Sequence, residues 1–312
     1  MTDIAIQFDP SSLVLINLIL ALMMFGVSLD LRAEDFRRVL REPKAPAIGL
    51  FAQFLLLPAL TCLATWALAI DPQLALGMLL VAACPGGSFS NIMTWMARGN
   101  VAVSVSMTAI SSLAAGVLTP LNFALYAWLN PNTRPLLSEI AVDPLGLLLM
   151  VLLVLGVPLL LGMIIGRRFP LLTLRVEKPL RIFALLVMLA FVGLAFGRNW
   201  QQFLEYFHLF FWLVVAHNAL ALSCGYFSAR LAGLPVADRR AVTLEVGIQN
   251  SALGLVIIFT FFPQASGMLL IAAFWGCWHL VSGLSLALLW SRRAPAAAPT
   301  SCGSGLGRDN PA

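Results

Sequence analysis

The chain reads as an all-α polytopic membrane protein with about nine transmembrane helices. Three observations predict this. Of its 312 residues, 60% are hydrophobic and 11% charged, whereas a soluble domain carries about 25% charged residues. Apolar stretches long enough to cross a bilayer recur along the whole sequence. The basic residues fall in the gaps between those stretches, and almost all in alternate gaps.

A helix crossing the hydrocarbon needs about 20 apolar residues. Nine segments qualify: 12–31, 44–69, 73–97, 102–128, 144–166, 180–197, 209–232, 238–262 and 266–290. One set of alternate gaps holds 17 Lys and Arg residues, and the opposite set holds only Arg134 and Arg198. Basic residues stay on the cytoplasmic side, so the split places the N-terminus outside and the C-terminus in the cytoplasm of a cell inner membrane or plasma membrane. The net charge of +5 therefore reflects orientation and not nucleic-acid binding. Residues 1–11 form an extracytoplasmic segment with two aspartates and no Lys or Arg, unlike the basic start of a secretory signal. Residues 12–291 form the transmembrane domain. Residues 292–312, rich in Ala, Pro, Ser and Gly, read as a disordered cytoplasmic tail. Cys62, Cys84, Cys224, Cys277 and Cys302 form no CxxC pair, so neither a disulfide framework nor a zinc site is expected.

Thirteen of the 14 acidic residues fall in gaps, tails or helix ends; Glu245 falls near the middle of a span. A carboxylate at the bilayer centre costs about 2.5–3.5 kcal/mol on insertion scales. The Lys and Arg residues stay at span ends, so none lies deep in a span to offset it. A bound cation, a proton, or protonation with hydrogen bonding as structural glue must do so. Around it runs Glu245-Val-Gly-Ile-Gln249-Asn250-Ser251, and earlier in the chain Cys84-Pro-Gly-Gly-Ser88-Phe89-Ser90-Asn91. Both are polar, glycine-bearing interruptions of apolar helices. Irregular backbone at membrane depth is tolerated where it is buried or lines a cavity, and two broken helices in separate halves of a chain point to a transporter site. The side chains on offer are oxygens, from Glu245, Gln249, Asn91, Ser90, Ser104 and Thr108. They suit a hard cation, and Ser104 and Thr108 share a helix face. This donor set alone does not separate sodium from a proton.

The run Ala83-Cys-Pro-Gly-Gly-Ser-Phe-Ser-Asn91, with Thr94-Trp-Met-Ala-Arg98-Gly-Asn-Val-Ala-Val-Ser104, resembles the bile acid:sodium symporter family. Glu245-Val-Gly-Ile-Gln-Asn250 and Arg41-Glu-Pro-Lys44 do so as well, and the likeness covers about residues 15–290. The resemblance implies an inverted-repeat transporter with panel and core domains and two broken, crossing helices. This chain would begin at the second helix of the ten-helix bacterial pattern. The resemblance also implies two sodium ions as cofactors. The first would be held by Ser90, Asn91, Ser104, Thr108 and Glu245. The second would be held by Gln53, Glu245, Gln249 and the carbonyls of Val246 and Ile248. Substrate would meet Ser88, Asn250 and His279. Phe89 stands where the family commonly has a small residue, Leu280 where it has Asn, and Ile248 where it often has Met. His217-Asn218 also matches the family and reads as structural.

The expected function is sodium-coupled symport of an organic anion, a small carboxylate or a bile-acid-like compound, by alternating access. A proton-linked or arsenite-type exporter relying on Cys84 is the alternative within the superfamily, and a non-transporting membrane sensor is another. An enzyme is not expected, since no acid–base pair or nucleophile with its base accompanies Glu245. Beyond substrate and lipid, no protein partner is evident. The topology is open to a direct check. Single cysteines at Thr2 and Ser304, in a background without the native cysteines, are expected to label from opposite sides of the membrane; labelling from one side would mean an even number of spans.

Overall fold

A computed structural model describes residues 39–139, 156–176, 200–262 and 264–292, with scattered residues of 18–37 and 149–190. Most of the expected spans 12–31 and 180–197, most of the first part of 144–166, segment 1–11 and almost all of the tail lie outside the described residues. The described residues are helical throughout, with no strand among them.

The first continuous span is α1 (Lys44–Phe51), a π-turn (Ala52–Leu56) and α2 (Leu57–Ala67). Its irregularity follows from Pro58. Proline has no N–H to give to the carbonyl one turn back, and the Phe54 carbonyl instead accepts from Asn122 Nδ2 at 2.7 Å. Next come α3 (Pro72–Ala83) and α4 (Phe89–Met96), joined by the Cys84–Ser88 break. Asp71 caps α3, its Oδ1 accepting from Gln73 N at 3.0 Å and Leu74 N at 3.4 Å. Ten consecutive residues of α3, Leu74 to Ala83, are buried, as expected for a helix apolar on every face. The long α5 (Val101–Leu129) starts at Asn100, whose Oδ1 accepts from Ala102 N and Val103 N. It is followed by the short α6 (Arg134–Glu139), and then by α7 (Val157–Arg168).

The second half contains α8 (Trp200–Leu231), α9 (Val236–Gly247), α10 (Ser251–Phe261) and α11 (Ser266–Ser291). The break Ile248–Asn250 separates α9 from α10. Among the described residues, four helical stretches are long and apolar enough to cross a membrane: Lys44–Ala67, Val101–Leu129, Phe210–Leu231 and Ser266–Ser291. The other two expected spans in this region are the broken pairs α3–α4 and α9–α10.

Small residues set the packing, as they do where helices approach closely in lipid. A Cβ on Gly225 of α8 would lie 2.8 Å from Thr243 Cα of α9, and one on Gly77 of α3 would lie 2.9 Å from Met268 Cα of α11. On α7, Gly162 and Gly166 form a GxxxG face against Ser28 and Leu29. The main buried core gathers α3, α10 and α11, with large contributions from Trp275, Phe123 and Phe262.

Candidate functional site

The two breaks meet. Gly86 and Gln249 form an isolated antiparallel bridge. Gly87 N donates to Ile248 O at 2.6 Å, and Asn250 N donates to Pro85 O at 2.8 Å. Each unwound segment thus supplies partners for backbone groups that the other exposes in a region without water. Asn218 of α8 completes the pairing: its Nδ2 donates to Gly247 O at 2.9 Å, and its Oδ1 accepts from Ser282 of α11. His217 beside it is buried, with Nε2 2.9 Å from Thr61 Oγ1 and its ring against Trp275. This pair is engaged in packing and bracing, as the sequence suggests.

Glu245, at 0% exposure, projects from α9 to the crossing. Its Oε2 accepts from Ser90 of α4 and from Ser104 Oγ at 3.0 Å, and its Oε1 accepts from Thr108 Oγ1 at 2.6 Å. Asn91 Oδ1 lies 2.8 Å from Ser104 Oγ and 3.3 Å from Thr108 Oγ1. All five residues of the first expected ion site therefore converge from α4, α5 and α9. Thr94 joins them, donating to Ser104 Oγ at 3.3 Å; a lone threonine in a helix carries no signal of this in sequence. Each hydroxyl has one hydrogen to give, while Ser104 and Thr108 both face several acceptors. The result is an oxygen-rich cage, and no salt bridge to Glu245 forms among the described residues.

The first glycine of the break makes room for a side chain and is not in the left-handed region. Among the described residues the only glycine with positive φ is Gly233. At Gly86 what matters is the missing side chain, since a Cβ there would overlap the Glu245 carboxylate.

The second expected ion site is less closed. Gln53 sits in the π-turn, fully buried, with Nε2 3.5 Å from Cys84 O and Oε1 without a partner. Gln249 Nε2 donates to Val246 O at 2.8 Å, and its Oε1 is likewise buried and unpartnered. The Ile248 carbonyl accepts from Gly87. Two buried, orphaned amide oxygens are what a second cation would satisfy, because buried polar atoms are otherwise nearly always paired.

The residues expected at the substrate are spread around the same crossing. Ser88 is half-buried at the start of α4, and Phe89 next to it is 38% exposed. Asn250 is half-buried and caps α10 through Leu253 N at 3.2 Å. His279 is buried on α11, with Nδ1 unpartnered. It shares a helical stripe with Gly276 and Gly283, which approach Ser251 and Ile248. Sequence reasoning missed a second set of ties, at the far ends of the broken helices. Asn100 N donates to Ala237 O at 3.0 Å, Asn100 Nδ2 to Asp238 Oδ1 at 2.7 Å, and Arg240 Nη1 to Ala97 O at 2.6 Å.

Residues 17–206 match the model of the sodium bile acid symporter family. The chain is 32% identical over 280 residues to an uncharacterized sodium-dependent transporter of Bacillus subtilis (strain 168), covering 89% of this chain and 83% of that one. It is 34% identical over 279 residues to a chloroplastic protein of Arabidopsis thaliana named as a probable sodium/metabolite cotransporter, covering 88% of this chain and 66% of that one. It is also 30% identical over 256 residues to the ileal sodium/bile acid cotransporter of Oryctolagus cuniculus, covering 80% and 70%.

The seating of Glu245 under Gly86 has a measurable consequence. Gly86→Ala is expected to destabilise the protein by about 1–3 kcal/mol, the usual effect of adding a methyl group to a filled space. Thermal unfolding in detergent reads this directly, and a melting temperature equal to wild type would mean that the carboxylate does not lie against Gly86.

Proposed function

The chain belongs to the sodium bile acid symporter family and is a multi-pass membrane protein, and we propose that it carries an organic anion across the membrane coupled to sodium. The observation that supports this most strongly is the buried Glu245 carboxylate, ringed by Ser90, Ser104 and Thr108 with Asn91 beside it, and without a basic partner among the described residues. A hard monovalent cation suits an all-oxygen donor set and offsets the charge that lipid and protein leave uncompensated. Gln53 and Gln249 each hold a buried amide oxygen without a hydrogen-bond partner. With the Val246 and Ile248 carbonyls these provide donors for a second sodium ion, so that one carboxylate serves both.

The anion would bind on the other side of the crossing. The N-termini of α4 and α10 both begin there. Half-helix N-termini carry partial positive charge and unsatisfied N–H groups that favour a carboxylate. Ser88, Asn250 and His279 offer polar side chains around that position, and the exposed ring of Phe89 takes up volume beside it. Compact carboxylates would therefore be preferred over steroid-sized ones. In alternating access, α4 and α9 move together, because they are tied both at the crossing and through Asn100, Asp238 and Arg240. This braced unit would be the core that rocks against a panel, with the N-terminus outside the cell.

Sodium is expected to raise the melting temperature of the purified protein where potassium at equal ionic strength does not. The stabilisation amounts to about 2.7 kcal/mol at a hundred times the dissociation constant. Glu245→Gln should abolish both this response and sodium-driven uptake in proteoliposomes, while stability without sodium holds or rises. A sodium-independent melting curve, or wild-type uptake by Glu245→Gln, would count against the reading.

Phe89→Ala should admit bulkier anions and leave the sodium response nearly unchanged, since the phenyl ring offers no oxygen to an ion. The measurement is the ratio of transport rates for a small and a bulky carboxylate in wild type and variant. An unchanged ratio removes Phe89 from the substrate cavity.

A further inference from the structure

We propose that Tyr226 and Arg230 of α8, together with Arg239 of α9, form a binding site for the phosphate headgroup of an anionic phospholipid, on the side of the membrane where the basic residues gather. Tyr226 and Arg230 are four residues apart and share one face of α8. Gly233, at φ +69°, turns the chain after α8, and α9 then brings Arg239 back over Tyr226, its guanidinium carbon 5.6 Å from the ring centroid. Both guanidinium groups lie near enough to the Tyr226 hydroxyl to act on it electrostatically. Two like charges are thus gathered on one phenol, and no carboxylate pairs with either among the described residues. Asp238, adjacent in sequence, accepts from Asn100 instead. Arg239 Nε is buried with no hydrogen-bond partner, and a buried donor of this kind calls for an acceptor.

A phosphate diester supplies what is missing. It brings negative charge for two planar guanidinium forks, oxygens for the orphaned Nε–H, and an acceptor for the phenol O–H. The surroundings favour a lipid as its source over a soluble phosphate. Phe227 is 55% exposed and Leu231 is 86% exposed on the same end of α8, and these apolar groups would lie against acyl chains. Basic pockets between transmembrane helices on the cytoplasmic side bind such headgroups. A lipid held here would join α8 to the helix that carries Glu245, one and two-thirds turns beyond Arg239.

Native mass spectrometry of the full chain provides the test, with protein purified in detergent and exposed to dioleoylphosphatidylglycerol, dioleoylphosphatidylcholine or inorganic phosphate. Wild type is expected to retain phosphatidylglycerol in preference to phosphatidylcholine. Arg230→Gln and Arg239→Gln should each lower that retention about fivefold, the equivalent of one basic residue at an anionic surface, with helical content and elution volume unchanged. Arg230 is exposed, so Arg230→Gln keeps the fold, and with Tyr226→Phe it carries the test if Arg239→Gln does not fold. Equal retention of the two lipids, or wild-type retention of phosphatidylglycerol by Arg230→Gln, would overturn the proposal. Displacement of phosphatidylglycerol by inorganic phosphate at equal concentration would overturn the assignment to lipid.

Discussion

A single carboxylate, Glu245, held inside an apolar protein without a counter-charge among the described residues, is the constraint on which the rest of the site depends. Every neighbouring feature serves to keep that group charged or chargeable at acceptable cost. Ser90, Ser104 and Thr108 direct hydroxyls at it. Gly86 leaves the space it occupies. The broken helices bring α4 and α9 to the same depth, so that three elements direct oxygen-bearing side chains at one point. Had the fold offered an arginine instead, the charge would be neutralised permanently and no mobile cation would be needed.

The crossing itself answers a second requirement. Breaking a transmembrane helix strands backbone donors and acceptors, and the chain resolves this by breaking two helices and pairing the breaks. Gly87 with Ile248 and Asn250 with Pro85 satisfy four groups at once, while Asn218 takes the Gly247 carbonyl that α9 leaves open. The far ends of the same helices are joined through Asn100 and Arg240. Carboxylate cluster, break and brace thus form one mechanical unit, built on the close approach of α8 to α9 at Gly225.

Much of this was legible in the sequence, for identifiable reasons. Glu245 stood out because nothing else acidic lies deep in an apolar run, and the breaks stood out because Pro85, Gly86, Gly87 and Gly247 interrupt strong helix patterns. The convergence of Ser90, Asn91, Ser104 and Thr108 was not readable from spacing, since no local pattern links α4 and α5 to a residue 155 positions after Ser90; the family likeness supplied it. Gln53 was reached in the same way. The π-turn that positions it could have been suspected from Pro58 but has no polar signature. Thr94 and the Asn100–Asp238 tie were missed because their residue types are common as helix packing and capping groups. The role of Gly86 was hidden, as only the three-dimensional neighbour reveals that its missing side chain is what counts.

The mutual pairing of the two breaks also governs how the protein can be made. Ser90 emerges from the ribosome 155 residues before Glu245, an interval of about 10–30 s at ordinary rates of synthesis. During that time the first break has none of its eventual partners, and its bare carbonyls and amides are as unwelcome in hydrocarbon as the glutamate is later. Such a segment stays near the headgroups or inside the insertion machinery until the second half arrives. Pairing of the two breaks is therefore a late event in the making of the protein, and sequence changes that slow the second half prolong the interval in which the first break stands unpaired.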